Sequence, residues 1–190
     1  MKKILALIFT LYFCVSGIVA NDDFADIKEK YIATLDGKLE GDQSVGVSPH
    51  GYERANIGYY ELEKDGVKYL IIGENWTGDS TSIYGLYSFD GKEIKNLYVD
   101  SGLRNVEVLE DKDGNIVIPY SRSYSVNDYF VGYDELKGGE LKSLAEFEYD
   151  NDKTPKYQIN GTPSDEKSFE KALNEFKAGL KNKILELKAL

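Results

Sequence analysis

The chain has 190 residues, with 23 Lys and Arg, 33 Asp and Glu, one Cys and one His, and a formal net charge of −10 at pH 7. This length suits one ordinary domain. A single cysteine excludes a disulfide scaffold, and a single histidine leaves little room for histidine-based catalysis or a histidine-rich metal site. The acidic balance, with no basic stretch to offset it, argues against nucleic acid as a partner.

Residues 1–20 have the pattern of a secretory signal peptide. Lys2 and Lys3 precede an uncharged stretch rich in Leu, Ile and Phe, and Ala20 is a small residue suited to cleavage. The apolar stretch is shorter than the ~20 residues that cross a bilayer, so no membrane span is expected in the mature form. We expect a secreted or periplasmic bacterial protein, whose charge changes from −10 to −12 because two lysines leave with the signal.

Cys14 raises lipidation as an alternative to simple cleavage. Bacterial lipoproteins carry small residues before the modified cysteine, whereas Tyr12 and Phe13 are bulky. We therefore favour cleavage near Ala20 over a lipoprotein anchored through Cys14. Cleavage there would leave the mature domain without cysteine, which suits an oxidising compartment.

A helix is predicted over residues 22–36. Its apolar stripe comprises Phe24, Ile27, Tyr31, Ile32 and Leu35. Asp22 or Asp23 is expected to cap its start and Gly37 to end it. Residues 37–55 are rich in Gly, Asp and Ser and predict a loop, in which His50 is interpreted as facing solvent.

From residue 56 the hydrophobic pattern changes to a period of two. Four dipeptides favour tight hairpin turns: Asp65-Gly66, Asp90-Gly91, Asp113-Gly114 and Gly138-Gly139. The segments that flank them predict an antiparallel meander of about eight strands over residues 56–160. Eight strands are too few for a propeller. We expect a single twisted sheet, rolled up or folded into a partly open barrel or sandwich.

The predicted core lies on the inner face of this meander. It comprises Ile57, Tyr59, Leu70, Ile72, Tyr87, Phe89, Val106, Val108, Ile116 and Ile118. The alternation is blurred in places such as residues 69–72, where four large hydrophobic residues are consecutive. Blurring is typical of strands covered on both faces, and the N-terminal and C-terminal helices are the natural cover.

A long C-terminal helix is predicted over residues 163–187. Thr162 is expected to be the N-cap and Pro163 the first helical residue. The apolar stripe comprises Phe169, Ala172, Leu173, Phe176, Leu180, Ile184 and Leu187. The sequence thus predicts an α+β, mainly β fold, with residues 21–190 forming a single domain after the signal at 1–20.

Two segments resemble uncharacterised exported β-rich domains of bacteria. In that family a strand enters an Asp-x-Asp-x-Asp-Gly turn, and here Glu61-Leu62-Glu63-Lys64-Asp65-Gly66 occupies the corresponding place. The segment Tyr157-Gln158-Ile159-Asn160-Gly161-Thr162, leading into a helix with Phe169, is similar to how those domains end. The resemblance implies a β-rich exported domain, and it brings no catalytic residue with it.

The same resemblance raises calcium as a ligand of the first hairpin. In Asp-x-Asp-x-Asp-Gly, three short carboxylates converge on a hard cation. The residues here are Glu61, Glu63 and Asp65, with Lys64 as a competing cation, and residue 72 is Ile rather than a bidentate Glu. An ordinary hairpin tip is the favoured interpretation, and a Ca²⁺ site at these three acids is the alternative. No other cofactor is expected.

Two loop regions are candidate binding sites. The first, residues 73–81, holds the only tryptophan, Trp76, with the acids Glu74 and Asp79 nearby. An exposed Trp can stack on a sugar or a peptide, although it can equally fold back over a sheet edge.

The second region is rich in tyrosine. It contains Tyr120, Tyr124, Tyr129 and Tyr133 together with Arg122. Tyr and Arg are enriched in binding patches, although Tyr is also a good strand residue.

The sequence carries no recognised catalytic motif. His50 has no Gly-x-Ser-x-Gly partner, and with 33 acids some carboxylate pair will be close by chance. We therefore expect an exported, non-catalytic binding or interaction domain with a protein or carbohydrate ligand. The alternatives are a calcium-stabilised structural module and a periplasmic inhibitor of a basic enzyme, which the acidic charge suits.

Overall fold

The computed structural model describes residues 22–36, 38, 57–76, 80–97, 106–125, 128–150 and 156–190. The predictions at residues 1–20, Cys14 and His50 lie outside these residues. So do Asp79 and the side chains of Trp76, Arg122 and Tyr124.

The described residues form mainly β-structure, with helices near both ends. The helices are α1 (Ala25–Leu35) and α2 (Glu166–Ala178). The strands are β1 (Ile57–Lys64), β2 (Val67–Trp76), β3 (Ser80–Phe89), β4 (Ile94–Asn96), β5 (Val106–Glu107), β6 (Leu109–Asp111), β7 (Ile116–Ser125), β8 (Asp128–Lys137), β9 (Glu140–Asp150), β10 (Lys156–Ile159), β11 (Thr162–Ser164), β12 (Leu180–Asn182) and β13 (Lys188–Ala189).

The strands divide into two antiparallel sheets rather than one. Sheet A has the order β13-β1-β2-β3-β4, with β5 also paired to β3. Sheet B has the order β11-β10-β9-β8-β7-β6-β12. The predicted single sheet of about eight strands, rolled up or folded into a barrel or sandwich, is therefore replaced by two separate sheets, which together contain thirteen strands within the described residues.

Three hydrophobic clusters stack these elements into four layers. The first lies between the sheets and includes Tyr69, Ile71, Ile83, Leu86, Val108, Ile118 and Leu185. The second joins the outer face of sheet A to α1 and includes Tyr31, Leu70, Ile72 and Tyr87. The third joins the outer face of sheet B to α2 and includes Val131, Tyr133, Phe147 and Phe169. The order of layers is α1, sheet A, sheet B, α2.

The blurred alternation in β2 follows from this layering. Tyr69, Leu70, Ile71 and Ile72 are all fully buried, because alternate side chains enter the clusters on opposite faces of sheet A. The predicted core residues are accordingly divided between two layers. Leu70 and Ile72 face α1, whereas Ile116 and Ile118 face sheet A.

The four predicted turns each join two antiparallel strands. At the β1–β2 turn Asp65 has a φ of 55° and Gly66 a φ of 76°, the left-handed backbone that such turns require. A fifth turn, Asn160-Gly161, joins β10 to β11 with φ values of 51° and 71°. Asn-Gly is a dipeptide that favours such turns, but it was predicted only as part of the segment leading into the C-terminal helix.

Helix α2 is shorter than predicted at both ends. Asp165, not Thr162, is its N-cap, because the Asp165 carboxylate accepts a hydrogen bond from the Ser168 N–H and residues 162–164 pair as β11. The helix ends at Ala178, and Gly179 is the C-cap. The predicted continuation to residue 187 is therefore wrong: glycine weakens the helix at this point, and residues 180–182 pair with β6 instead.

The residues that follow α2 form a C-terminal clasp, defined here as residues 180–189, that touches both sheets. Strand β12 pairs with β6 at the edge of sheet B, and β13 pairs with β1 at the edge of sheet A. Between them the Leu185 side chain enters the core, and its N–H donates to the Thr81 hydroxyl at 2.7 Å. The Asn75 amide donates to the Leu185 carbonyl at 3.0 Å.

At the other end, α1 occupies residues 25–35 within the segment 22–36. Phe24 is its N-cap, and the Asp22 carboxylate accepts from the Phe24 N–H at 3.0 Å. Tyr31 and Phe24 face sheet A, as the apolar stripe requires. Neither α1 nor α2, the helices of the described part of the chain, has the length and apolar character needed to cross a membrane.

Candidate functional site

The first predicted binding loop is partly strand. Strand β2 continues to Trp76 and β3 begins at Ser80, so Glu74 and Asn75 lie in the sheet rather than in a loop. Glu74 is buried, and its carboxylate accepts a hydrogen bond from the Tyr84 hydroxyl. In the β2–β3 pairing Glu74 stands opposite Ser82.

Two of the three acids predicted as calcium ligands, Glu61 and Glu63, line a charged cleft between α1 and sheet A with a volume of about 450 Å³, and Asp65 does not line it. The Glu61 carboxylate binds the Lys28 ammonium at 2.5 Å, and the Asp22 carboxylate binds it at 3.0 Å. The same ammonium lies 3.9 Å from the ring centre of Tyr59. A lysine thus occupies the position beside Glu61 where a calcium ion would compete for the carboxylate.

Ionisation in this cleft is set by the Lys28 contacts. Burial acts to lower the pKa of the Lys28 ammonium, but its hydrogen bonds to Glu61 and Asp22 outweigh burial and raise it. Burial acts to raise the pKa of the Asp22 carboxyl, but hydrogen bonds from Lys28 and the Phe24 N–H hold it below its usual range. The Lys28 ammonium and the Asp22 carboxylate therefore stay charged together.

The side chains of the described residues contain no group of three or more His, Cys, Asp or Glu arranged to hold a metal ion. Glu61 and Glu63 are alternate residues of β1, and Asp65 lies in the turn beyond the strand. The calcium site stays a prediction from the resemblance.

A row of three tyrosines crosses sheet B on the face that α2 covers. Tyr129 of β8 stands directly opposite Tyr149 of β9, and Tyr149 stands opposite Tyr157 of β10. The rings of Tyr149 and Tyr157 are stacked with centroids 4.9 Å apart, and Tyr157 lies 5.3 Å from Phe169 of α2. Tyr129 is 40% exposed, one of the few large hydrophobic residues in the described part with so much open surface.

Helix α2 forms the opposite wall of a cleft over this row, which we name the tyrosine cleft. Its volume is about 570 Å³, and its lining residues are Tyr129, Tyr149, Tyr157, Glu166, Phe169, Glu170, Leu173 and Asn174. The helical residues have the spacing i, i+3, i+4, i+7 and i+8, so they share one face of α2. That face turns Glu166 and Glu170 toward the tyrosines.

The hydroxyls of Tyr129 and Tyr157 stay protonated. Partial burial and hydrogen bonding with Glu166 raise the pKa of Tyr157 to about 12, and burial also raises the pKa of Tyr129. These two phenols are therefore neutral hydrogen-bond donors and acceptors at neutral pH. Negative charge in the cleft comes from the two glutamates.

Sequence reasoning placed Tyr129 in a candidate patch but missed the rest of the tyrosine cleft. Tyr149 and Tyr157 belong to different strands, and their adjacency depends on the pairing of β9 with β10. Arg122 and Tyr124 belong to β7, where the backbone of Arg122 pairs with Phe130 beside Tyr129. The spacing of Glu166 and Glu170 along one helix face was visible in the sequence.

A second carboxyl group with unusual ionisation lies on the other face of sheet B. Asp134 is only 7% exposed, and burial together with the nearby charge of Glu146 raises the pKa of its carboxyl to about 6. Glu146 accepts hydrogen bonds from the hydroxyls of Tyr120 at 3.3 Å and Ser143 at 3.4 Å. The two acids thus differ in their environments, and Asp134 can take up a proton near pH 6.

Comparisons of the chain with protein-family models, with curated proteins and with solved structures found no significant match. The resemblance to exported bacterial domains stays a prediction.

Proposed function

We propose that this protein is an exported, non-catalytic binding module whose ligand enters the tyrosine cleft. The observation that carries the proposal is the row of Tyr129, Tyr149 and Tyr157, which lines a cleft of about 570 Å³ under α2. Ligand pockets have volumes of about 300–1,000 Å³ and combine aromatic walls with a few polar groups. Export is supported by the signal pattern of residues 1–20.

The shape of the cleft favours binding over a purely structural role. A tyrosine that only filled the core would be covered, as Tyr133 is in the same strand, whereas Tyr129 keeps 40% of its surface open. Aromatic rings supply large contact areas with little loss of conformational entropy, which is why they dominate binding surfaces. The stacked pair Tyr149 and Tyr157 holds the floor of the cleft in place.

Amide chemical-shift mapping with isotope-labelled protein tests this proposal. The probes are chitotriose, maltotriose, arginine amide, tetramethylammonium and an octa-arginine peptide. We expect at least one of them to shift the signals of residues that line the tyrosine cleft. We expect Tyr129→Leu to lower the affinity for that probe by about threefold or more. Ile94→Ala is the matched control, because Ile94 is also 40% exposed but lies in sheet A.

The proposal fails if the probes shift the signals of no residue in the cleft. It also fails if Ile94→Ala lowers the affinity for a bound probe as much as Tyr129→Leu does. In that case the ligand of this protein binds elsewhere.

A further inference from the structure

The charge of the tyrosine cleft is unbalanced. Glu166 and Glu170 line it, and none of its lining residues, all of them described, is Lys, Arg or His. Within the described part of the chain neither glutamate has an ion pair within 4.0 Å, whereas Glu175 of the same helix lies 3.8 Å from Lys171. The two glutamates that face the tyrosines thus have no cationic side chain beside them within the described residues, whereas Glu175, which does not line the cleft, has one.

The two acids sit together at a cost to the helix. Like charges at positions i and i+4 repel each other and destabilise an isolated helix. Glu166, in the first turn, is favoured by the helix dipole, but Glu170 lies a turn further in, where the dipole helps less. A positively charged ligand in the cleft would relieve the repulsion between them.

The helix N-terminus does not make this an anion site. The dipole of α2 supplies about half a positive charge there, and the Asp165 carboxylate already accepts from the Ser168 N–H. Glu166 and Glu170 add two further negative charges beside it. The net field in the cleft is therefore negative, and a phosphate or carboxylate ligand would be repelled.

Resting on the proposed function, we infer that the ligand group held in the tyrosine cleft is an organic cation, a guanidinium or alkylammonium group. Carboxylates attract such a group, aromatic faces bind it through their π-electrons, and neutral tyrosine hydroxyls accept its N–H hydrogen bonds. A strongly hydrated metal ion would gain little from four aromatic rings and one Leu. The acidic chain as a whole, with 33 Asp and Glu against 23 Lys and Arg, also draws cationic ligands toward it.

Isothermal titration with arginine amide and with tetramethylammonium tests the inference. Both are expected to bind with millimolar dissociation constants. The double variant Glu166→Gln/Glu170→Gln is expected to raise both dissociation constants about tenfold. Glu175→Gln is the matched control, since it removes the same charge from the same helix outside the cleft, and it should change affinity less than about twofold. Raising the salt from about 0.05 M to about 0.5 M should weaken binding, because screening shortens the reach of the glutamates.

A third titration, with octa-arginine, distinguishes a basic polypeptide from a free small molecule as the source of the cation. Octa-arginine that binds at least about tenfold more tightly than arginine amide, with the same dependence on Glu166 and Glu170, would identify a basic polypeptide as the source. Equal affinity per cation would identify a free small molecule. Both outcomes support a cation site.

Failure of this inference is distinct from failure of the proposed function. If chitotriose or maltotriose binds, is weakened by Tyr129→Leu and is unaffected by the glutamate variants, while the cations do not bind, the cleft is a neutral carbohydrate site and the inference is wrong. If no probe depends on Tyr129 or on the glutamates, both are wrong. Circular dichroism of each variant confirms that the fold is retained.

Discussion

The hydroxyl of Tyr69 accepts a hydrogen bond, 2.9 Å long, from the backbone N–H of Gly139. The carbonyl of the same glycine accepts one from the Ser88 hydroxyl at 2.7 Å. Tyr69 and Ser88 are cross-strand neighbours in sheet A, whereas Gly139 belongs to the β8–β9 turn of sheet B. One pair of side chains therefore satisfies both backbone groups of a buried turn residue and fixes the position of one sheet against the other.

Removing either side chain of this pair should destabilise the protein. Tyr69→Phe leaves the Gly139 N–H, and Ser88→Ala leaves its carbonyl, buried without its present partner. We expect each change to lower the free energy of unfolding by about 1–3 kcal/mol, measured by urea denaturation. Ser143→Ala, which removes an exposed hydroxyl, should cost less than about 0.5 kcal/mol. Equal losses for all three variants would contradict the assigned role of Gly139.

Gly132 in sheet B leaves space for the neighbouring ring of Tyr120. A Cβ atom added to Gly132 would lie 2.2 Å from the Cζ atom of Tyr120, its cross-strand partner. Gly132→Ala should therefore displace the ring and lower the unfolding free energy by about 1–3 kcal/mol. Gly179→Ala is the control, because its nearest contact would be 3.4 Å and its φ is −84°. Similar melting temperatures for the two variants would show that the ring moves freely.

Asp134 should make stability depend on pH. Its pKa is raised from 3.8 to about 6 in the folded protein, so between these values the folded state holds more protons than the unfolded state. Stability from this group is therefore full below pH 3.8, falls as the pH rises, and is lost above pH 6, a change of up to about 3 kcal/mol. We expect Asp134→Asn to be more stable than the parent at pH 8 and to lose that advantage at pH 4.

Urea denaturation at the two pH values measures the Asp134 effect. Asp113→Asn, in an exposed turn, serves as the control for loss of one negative charge. A pH dependence that is the same in the Asp134 and Asp113 variants would assign the effect to overall charge instead.

The attachment of the C-terminal clasp to the two sheets depends on the Leu185 side chain. Leu185 is 1% exposed and lies in the cluster between the sheets, whereas its neighbour Ile184 is 50% exposed. Leu185→Ala should lower the unfolding free energy by about 2–5 kcal/mol because it leaves a cavity. Ile184→Ala should cost less than about 1 kcal/mol. If the two substitutions have equal effects on chemical denaturation, the clasp does not anchor the sheets.

Local features of the fold were readable from the sequence because their causes are local. Asp65-Gly66 and Gly138-Gly139 have the positive φ that tight turns require, and the four turns predicted from such dipeptides join antiparallel strands. The consecutive hydrophobic residues 69–72 indicated burial on both faces, and all four are buried.

The division into two sheets was not readable, because it depends on pairings between distant residues. Strand β12 is a stretch of Leu, Lys and Asn that extends a helical stripe, and only the edge of β6 makes it a strand. The tyrosine cleft was hidden for the same reason, since its three rings come together only when β8, β9 and β10 align in one register. Glu166 and Glu170 look like ordinary solvent-facing acids until the helix that carries them is placed over that row.

The clasp also bears on how the protein folds as it emerges from a ribosome or a translocase. Gly58 of β1 pairs with Ala189, a separation of most of the chain, so sheet A keeps one strand edge open until its last partner arrives. Such long-range pairing slows folding, and an open strand edge is a template for pairing with other chains. A chain delivered from its N-terminus must therefore remain an incomplete sandwich, exposed to aggregation, until residues 180–189 have cleared the exit.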